Sequence, residues 1–116
     1  MRILIGLALF TAVGFAQSKS GGLAGNVENG KRLFERNACY QCHGHQGQGG
    51  LAGARLAQTR LPLAAFTAYV RNPAPGGMPP FRPKVMSDQE LADVYAYIKT
   101  FPEPKPAKDI PLLSQD

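Results

Sequence analysis

Cys39-Tyr40-Gln41-Cys42-His43 constrains this chain more than any other stretch of it. Two thiols separated by two residues, with an imidazole immediately after the second, form a C-x-x-C-H sequence. Thiols at that spacing near a helix end can each add to one vinyl group of the same porphyrin, and the imidazole then reaches the iron from one face. Three other readings use the same residues. A structural disulfide suits an oxidising compartment but leaves the rest of the composition unexplained. A thioredoxin-like redox pair needs a βαβ context, whereas a Gly-rich loop follows here. A zinc site usually needs a second ligand pair at a distance, and the remaining candidate, His45, is crowded beside His43.

Composition favours the haem. The 116 residues support one domain, with no Trp and with 13 Gly and 10 Pro. Small domains bury too little surface to be comfortably stable, and the polypeptide core built from this chain is thin. A large apolar cofactor in the middle would complete it.

The first residues read as an export signal. Arg2 supplies a positive start, Ile3 to Phe15 is apolar or small apart from Thr11, and Gly14-Phe15-Ala16 reads as small-x-small. That places a signal peptide at 1–16, cleaved after Ala16. The run is 13 residues long, against about 20 for a bilayer span, so no stable membrane span is expected after cleavage. No Cys stands at the junction to carry a lipid. Loss of Arg2 takes the formal charge from +5 to +4, which favours redox partners with acidic docking faces. Lys and Arg are scattered without a basic stripe, which excludes nucleic acid.

Residues 17–25 form a Ser/Gly-rich flexible linker. A helical pattern follows over Val27 to Ala38, with Val27, Gly30, Phe34 and Ala38 on one narrow face and Leu33 at its edge. Gly30 costs helix stability relative to Ala and is best justified by a second helix crossing at close range. Gly44 to Gly53 holds five glycines, which permit close backbone approach to a ligand. A short helix is predicted over Leu63 to Arg71, with Leu63, Phe66, Tyr69 and Val70 as its apolar side, stopped by Pro73. Asn72 to Pro83 carries five prolines and two glycines and must be an extended, stiff loop. In the last helix Ser87 and Glu90 form a capping box, and Met86 and Leu91 are spaced for a hydrophobic staple. Leu91, Val94, Tyr95, Ile98 and Phe101 follow at the helical period, and Pro102 ends the element. Residues 103–116 form a Pro-rich tail, pinned by Ile110, Leu112 and Leu113.

A haem iron bound by His on one side can take a Met thioether on the other. Met78-Pro79-Pro80-Phe81 lies far enough after His43 to wrap round the cofactor, with Pro and Gly to hold the sulfur. Met86 is already used as a staple residue, so Met78 is the candidate ligand. His45 follows His43 too closely to reach the opposite face of a porphyrin and reads as a loop residue. Arg55, Arg60 and Arg71 are candidate partners for the haem propionates.

Taken together, the chain resembles the class I monohaem c-type cytochromes. The resemblance covers roughly Gly25 to Pro102, essentially the whole of the expected mature domain, 26–102. It rests on Gly30 and Phe34 ahead of Cys39, Cys42 and His43, on Met78-Pro79-Pro80-Phe81, and on Val94-Tyr95-Ala96-Tyr97-Ile98. It implies a small all-α cytochrome c-like domain of three or more helices wrapped round one covalent haem c, the first and last helices crossing through Gly30 and Phe34. Family members often carry Gly-Pro-x-Leu after the haem motif, and the Pro carbonyl accepts the proximal His N–H. This chain has Gly53-Ala54-Arg55-Leu56 there, and Ala54 still offers its carbonyl.

The expected function is single-electron transfer by an exported, periplasmic and monomeric carrier, with Cys39 and Cys42 attaching the haem and His43 and Met78 on the iron. With both axial positions filled no site is open to substrate, so the chain is not expected to be an enzyme. Two alternatives remain: an electron-accepting haem subunit of a dehydrogenase or oxidase, and a five-coordinate haem that binds a gas or peroxide.

Overall fold

The structure is a computed structural model and describes residues 22–113. The signal peptide and most of the linker lie outside the described residues. Among those described there are four α-helices and no strand: α1 (Val27–Arg36), α2 (Cys39–His43), α3 (Leu63–Arg71) and α4 (Asp88–Ile98), followed by 3-10 turns at Ala107–Asp109 and Pro111–Leu113. The all-α expectation holds.

Helix α1 starts where Asn26 caps it, its side chain accepting from the Asn29 N–H. Gly30, Leu33 and Phe34 are its buried residues, at the i, i+3, i+4 spacing of one face. Two details differ from the sequence reading. Leu33, placed at the edge, is fully buried, while Val27 is exposed. The first turn meets α4 through polar groups rather than through an apolar side chain, and this leaves Val27 outside. The helix also stops at Arg36 instead of Ala38. Asn37 turns its side chain back onto the Leu33 carbonyl at 2.8 Å, and Ala38 adopts a left-handed conformation with φ 55°. Left-handed backbone is costly for a residue other than glycine, and here it turns the chain so that α2 starts in a new direction at Cys39.

Helix α4 carries the capping box read from the sequence, with both the Ser87 and the Glu90 halves formed. Met86 and Leu91 are both buried in the same core cluster. The helix ends at Ile98 rather than running to Phe101, because the residue before a proline is disfavoured in the α region. Phe101 instead turns inward and is buried. Its ring meets Phe34 at 5.6 Å and Tyr97 at 4.8 Å, both edge-on, an arrangement that aromatic quadrupoles favour. Phe34 and Tyr97 also meet edge-on at 5.5 Å, so three rings lock the far end of the α1/α4 crossing. In the tail Ile110 is half-buried but Leu112 is exposed, so Leu112 does not pin it.

The near end of that crossing is polar. Asp93 on α4 is buried and accepts from the Asn26 backbone N–H at 2.7 Å, from Asn29 Nδ2 at 2.6 Å and from Gln89 Nε2 at 3.0 Å. Burial pushes its pKa up, but the Asn26, Asn29 and Gln89 donors outweigh it and hold the carboxyl below its ordinary value. A carboxylate with a depressed folded pKa contributes stability above its unfolded pKa of about 3.9, and that stability is lost as pH falls through the folded value. Asp93→Asn is therefore expected to lower the urea midpoint at neutral pH. The gap from the unsubstituted protein is expected to close in acid below the unfolded value. A gap that stays constant throughout an acid titration of the midpoint would overturn this account.

Candidate functional site

Helix α2 and the loop after it build one wall of the site. Cys39 is half-buried and Cys42 exposed, and both are free thiols. Burial pushes the Cys39 thiol pKa up, partly offset by a backbone hydrogen bond. His43 follows at the helix end, and its Nδ1 lies 2.6 Å from the Ala54 carbonyl oxygen. A carbonyl can only accept, so Nδ1 is the donor and Nε2 is the ring nitrogen left available to a metal. The Ala54 carbonyl thus serves the purpose foreseen for it, without the proline.

The Gly-rich segment brings Ala54 into reach. The Gly49 N–H donates to the His43 carbonyl at 2.9 Å, and the Leu56 and Ala57 N–H groups both donate to the Gly47 carbonyl. Gly53 packs onto the backbone of Cys42: a Cβ there would stand 2.7 Å from the Cys42 carbonyl oxygen. Any side chain at 53 would push Ala54 away from His43. Close approach to the thiol-bearing helix is thus the physical use of this glycine.

Met78, half-buried, comes from a different element, the Pro-rich loop between α3 and α4. Two adjoining cavities of about 250 and 360 Å³ share Cys39, His43, Ala54, Tyr69, Met78 and Phe81 among their lining residues. They therefore form one continuous crevice. Its inner part is apolar, formed by Phe34, Leu56, Phe66, Val70, Met86, Leu91 and Val94. Tyr69, expected on the apolar side of α3, is 53% exposed because its ring stands at the crevice mouth. Cys42 lines the outer part only. The structure thus brings all four predicted site residues to one crevice, whereas Met86 sits deep in its apolar lining. His45 stacks on Tyr40 with ring centroids 4.5 Å apart.

The three arginines take different places. Arg55 lines the crevice, donates to the Ala57 carbonyl at 3.2 Å and pairs with Glu103 at 3.9 Å. Arg60 is exposed. Arg71 spends its guanidinium on protein acceptors in the loop and α4, which removes it as a propionate partner. Sequence reasoning missed that arrangement. The acceptors are backbone carbonyls of Phe81 and Met86, which carry no residue-type signal.

A family model described as cytochrome c oxidase, cbb3-type, subunit III matches residues 25–98. The chain belongs to this family of c-type cytochromes. The match spans α1 to α4 and every residue that lines the inner crevice. Comparison with curated proteins and with solved structures gave no match.

A c-type cytochrome domain binds haem and transfers electrons, and the residues of this domain fit that group. The crevice is lined chiefly by apolar side chains, as a porphyrin requires, with two free thiols on one wall. The imidazole beside them is held through Nδ1, which leaves Nε2 as the nitrogen available to a metal, and a thioether lines the same crevice. Among the described residues no three His, Cys, Asp or Glu side chains converge, so the zinc alternative lacks a ligand set. No helix among them is long and apolar enough to cross a membrane.

Proposed function

We propose that this chain is an exported single-electron carrier, with one haem c attached through Cys39 and Cys42 and ligated by His43 and Met78. The observation that carries the proposal is the convergence of Cys39, His43 and Met78 on one apolar crevice, with the His43 ring oriented by Ala54. When bound, the haem supplies a one-electron ferric/ferrous couple, whose potential a Met ligand raises. The protein's own residues do the rest. The two thiols retain the group, and the Ala54 carbonyl keeps His43 in one tautomer. The inner apolar side chains keep water from the iron. Two protein ligands leave no position for a substrate, so the reading is a carrier and not an enzyme. Export to the periplasm, with residues 1–16 removed, supplies the compartment in which thioether attachment is made, and the net charge of +4 left after loss of Arg2 favours partners with acidic faces.

The test is the visible spectrum of the exported protein, produced alongside cytochrome maturation machinery. The reduced protein is expected to show sharp low-spin bands, and the ferric protein the weak long-wavelength band of an iron–Met bond. Met78→Ala is expected to abolish that band and to open the ferrous iron to carbon monoxide. A high-spin spectrum in the unsubstituted protein would sink the two-ligand reading in favour of gas or peroxide chemistry.

The family description favours a second reading, in which the same domain accepts electrons as a subunit of an oxidase. Stable co-purification with other haem proteins from native membranes would support the subunit. A tagged chain recovered alone, in the soluble periplasmic fraction, would support the free carrier.

A further inference from the structure

Arg71 is the last residue of α3, and its side chain is 12% exposed. Nη1 donates to the carbonyl oxygens of Phe81 at 2.5 Å and Met86 at 2.6 Å, and Nη2 donates to Asp88 Oδ1 at 2.6 Å. One guanidinium thereby fastens the end of α3, the far end of the Pro-rich loop and the first residue of α4. Its planar, permanently charged fork suits this task, because charge-assisted bonds are stronger than neutral ones and the donor directions are fixed.

The loop has little else to hold it. Pro73, Pro75, Pro79, Pro80 and Pro83 bring no N–H group. From Pro73 to Pro80 the backbone makes one internal hydrogen bond, from Gly77 to Ala74 at 3.2 Å. Phe81, by contrast, is gripped on both sides. Its N–H donates to the Val70 carbonyl at 3.0 Å, and its own carbonyl accepts from Arg71. Pro79 and Pro80, with φ confined by their rings, connect this anchored residue to Met78. The position of Phe81 is thus carried to Met78 along a stiff arm.

We propose that Arg71 is a positioning residue for Met78: by clamping Phe81 and the start of α4 it holds the thioether on the crevice and sets how firmly Met78 stays on the iron. The inference rests on the reading of Met78 as axial ligand. Arg71 acts through the backbone of the loop and not by contact with the cofactor.

The experiment uses the matured, haem-loaded full chain and its Arg71→Ala, Arg71→Lys and Met78→Ala variants. Imidazole is titrated into each ferric protein while the long-wavelength iron–Met band is followed, and midpoint potentials are measured. Arg71→Ala is expected to bind imidazole at least about tenfold more tightly, the factor corresponding to loss of one charge-assisted hydrogen bond. Its band is expected to weaken and its potential to fall. Arg71→Lys keeps the charge but cannot fork to three acceptors, so it is expected to lie between; it also carries the test if Arg71→Ala does not accumulate. Variants that lose thermal stability but keep the band, the potential and an imidazole affinity within about twofold of the unsubstituted protein would overturn the proposal, because a change that small is under half a kcal/mol. Failure of the underlying reading looks different: the band is then absent from the unsubstituted protein, or survives in Met78→Ala, and the proposal falls with it.

Discussion

Replacing Cys39 and Cys42 together by Ala is expected to abolish cooperative folding as well as haem attachment. The four helices are 10, 5, 9 and 11 residues long, and isolated helices below about 12–15 residues are marginal in water. Their stability must come from packing. One strong contact is made without any cofactor, the crossing of α1 and α4 through Gly30, Phe34, Tyr97 and Phe101. Helix α3 instead turns Phe66 and Val70 towards the crevice, where Leu91 and Val94 of α4 face them. Phe66, Val70, Leu91 and Val94 are themselves buried, but without a haem the apolar crevice they line would hold water, at about 25 cal/mol per Å² of apolar surface it wets. The predicted result is a far-UV circular dichroism spectrum of low helix content and a melt without a sharp transition. His43→Ala, which leaves both thiols able to retain the group, is expected to stay folded but to lose its low-spin spectrum. A haem-free double variant that melted cooperatively near the temperature of the loaded protein would show that the polypeptide core suffices by itself.

Local chemistry made part of this design readable. Ser87 and Glu90 announce the start of α4 because both halves of a capping box lie within four residues. Asn72-Pro73 marks the end of α3 because a proline restricts the residue before it. The C-x-x-C-H stretch is informative for the same reason, since its groups are adjacent in the chain. What could not be read depends on residues distant in sequence. The end of α1 at Arg36 follows from a left-handed Ala38, a conformation no helix propensity would suggest. Asp93 reads as one more polar residue of an amphipathic helix until Asn26 and Asn29, more than 60 residues earlier, are seen to donate to it. Arg71 reads as one of three candidate propionate partners, because nothing near it in the sequence shows the acceptors it uses instead. Its partners are chosen by the course of a proline loop that has no periodic pattern. Phe101 reads as helical because its spacing is, although Pro102 beside it argues the opposite.

Gly30→Ala is expected to cost the loaded protein about 1–3 kcal/mol, the range typical of overpacking. A Cβ at this position would stand 2.0 Å from the Asp93 carbonyl oxygen, 2.5 Å from its carbonyl carbon and 2.9 Å from the Tyr97 Cβ. The first two are backbone atoms of α4 and cannot rotate away, so α1 and α4 must separate. Separation would strain both ends of the crossing. At one end the Asn26 and Asn29 donors would draw away from Asp93. At the other the Phe34 ring would lose its edge contacts with Tyr97 and Phe101, and Phe34 also lines the crevice. Alanine gains about 0.8–1 kcal/mol in intrinsic helix propensity over glycine, which opposes the clash. Geometry this tight on backbone atoms is expected to outweigh it. For a domain of this size each kcal/mol corresponds to roughly 4–8 °C in Tm, and the melting temperature of the loaded protein is the quantity to measure. Gly22→Ala supplies the control, because a Cβ at Gly22 meets nothing within 4 Å and is expected to leave Tm almost unchanged. A Gly30→Ala protein as stable as the Gly22→Ala control would mean that the helices can part without penalty, and the crossing would then not be what orients the crevice walls.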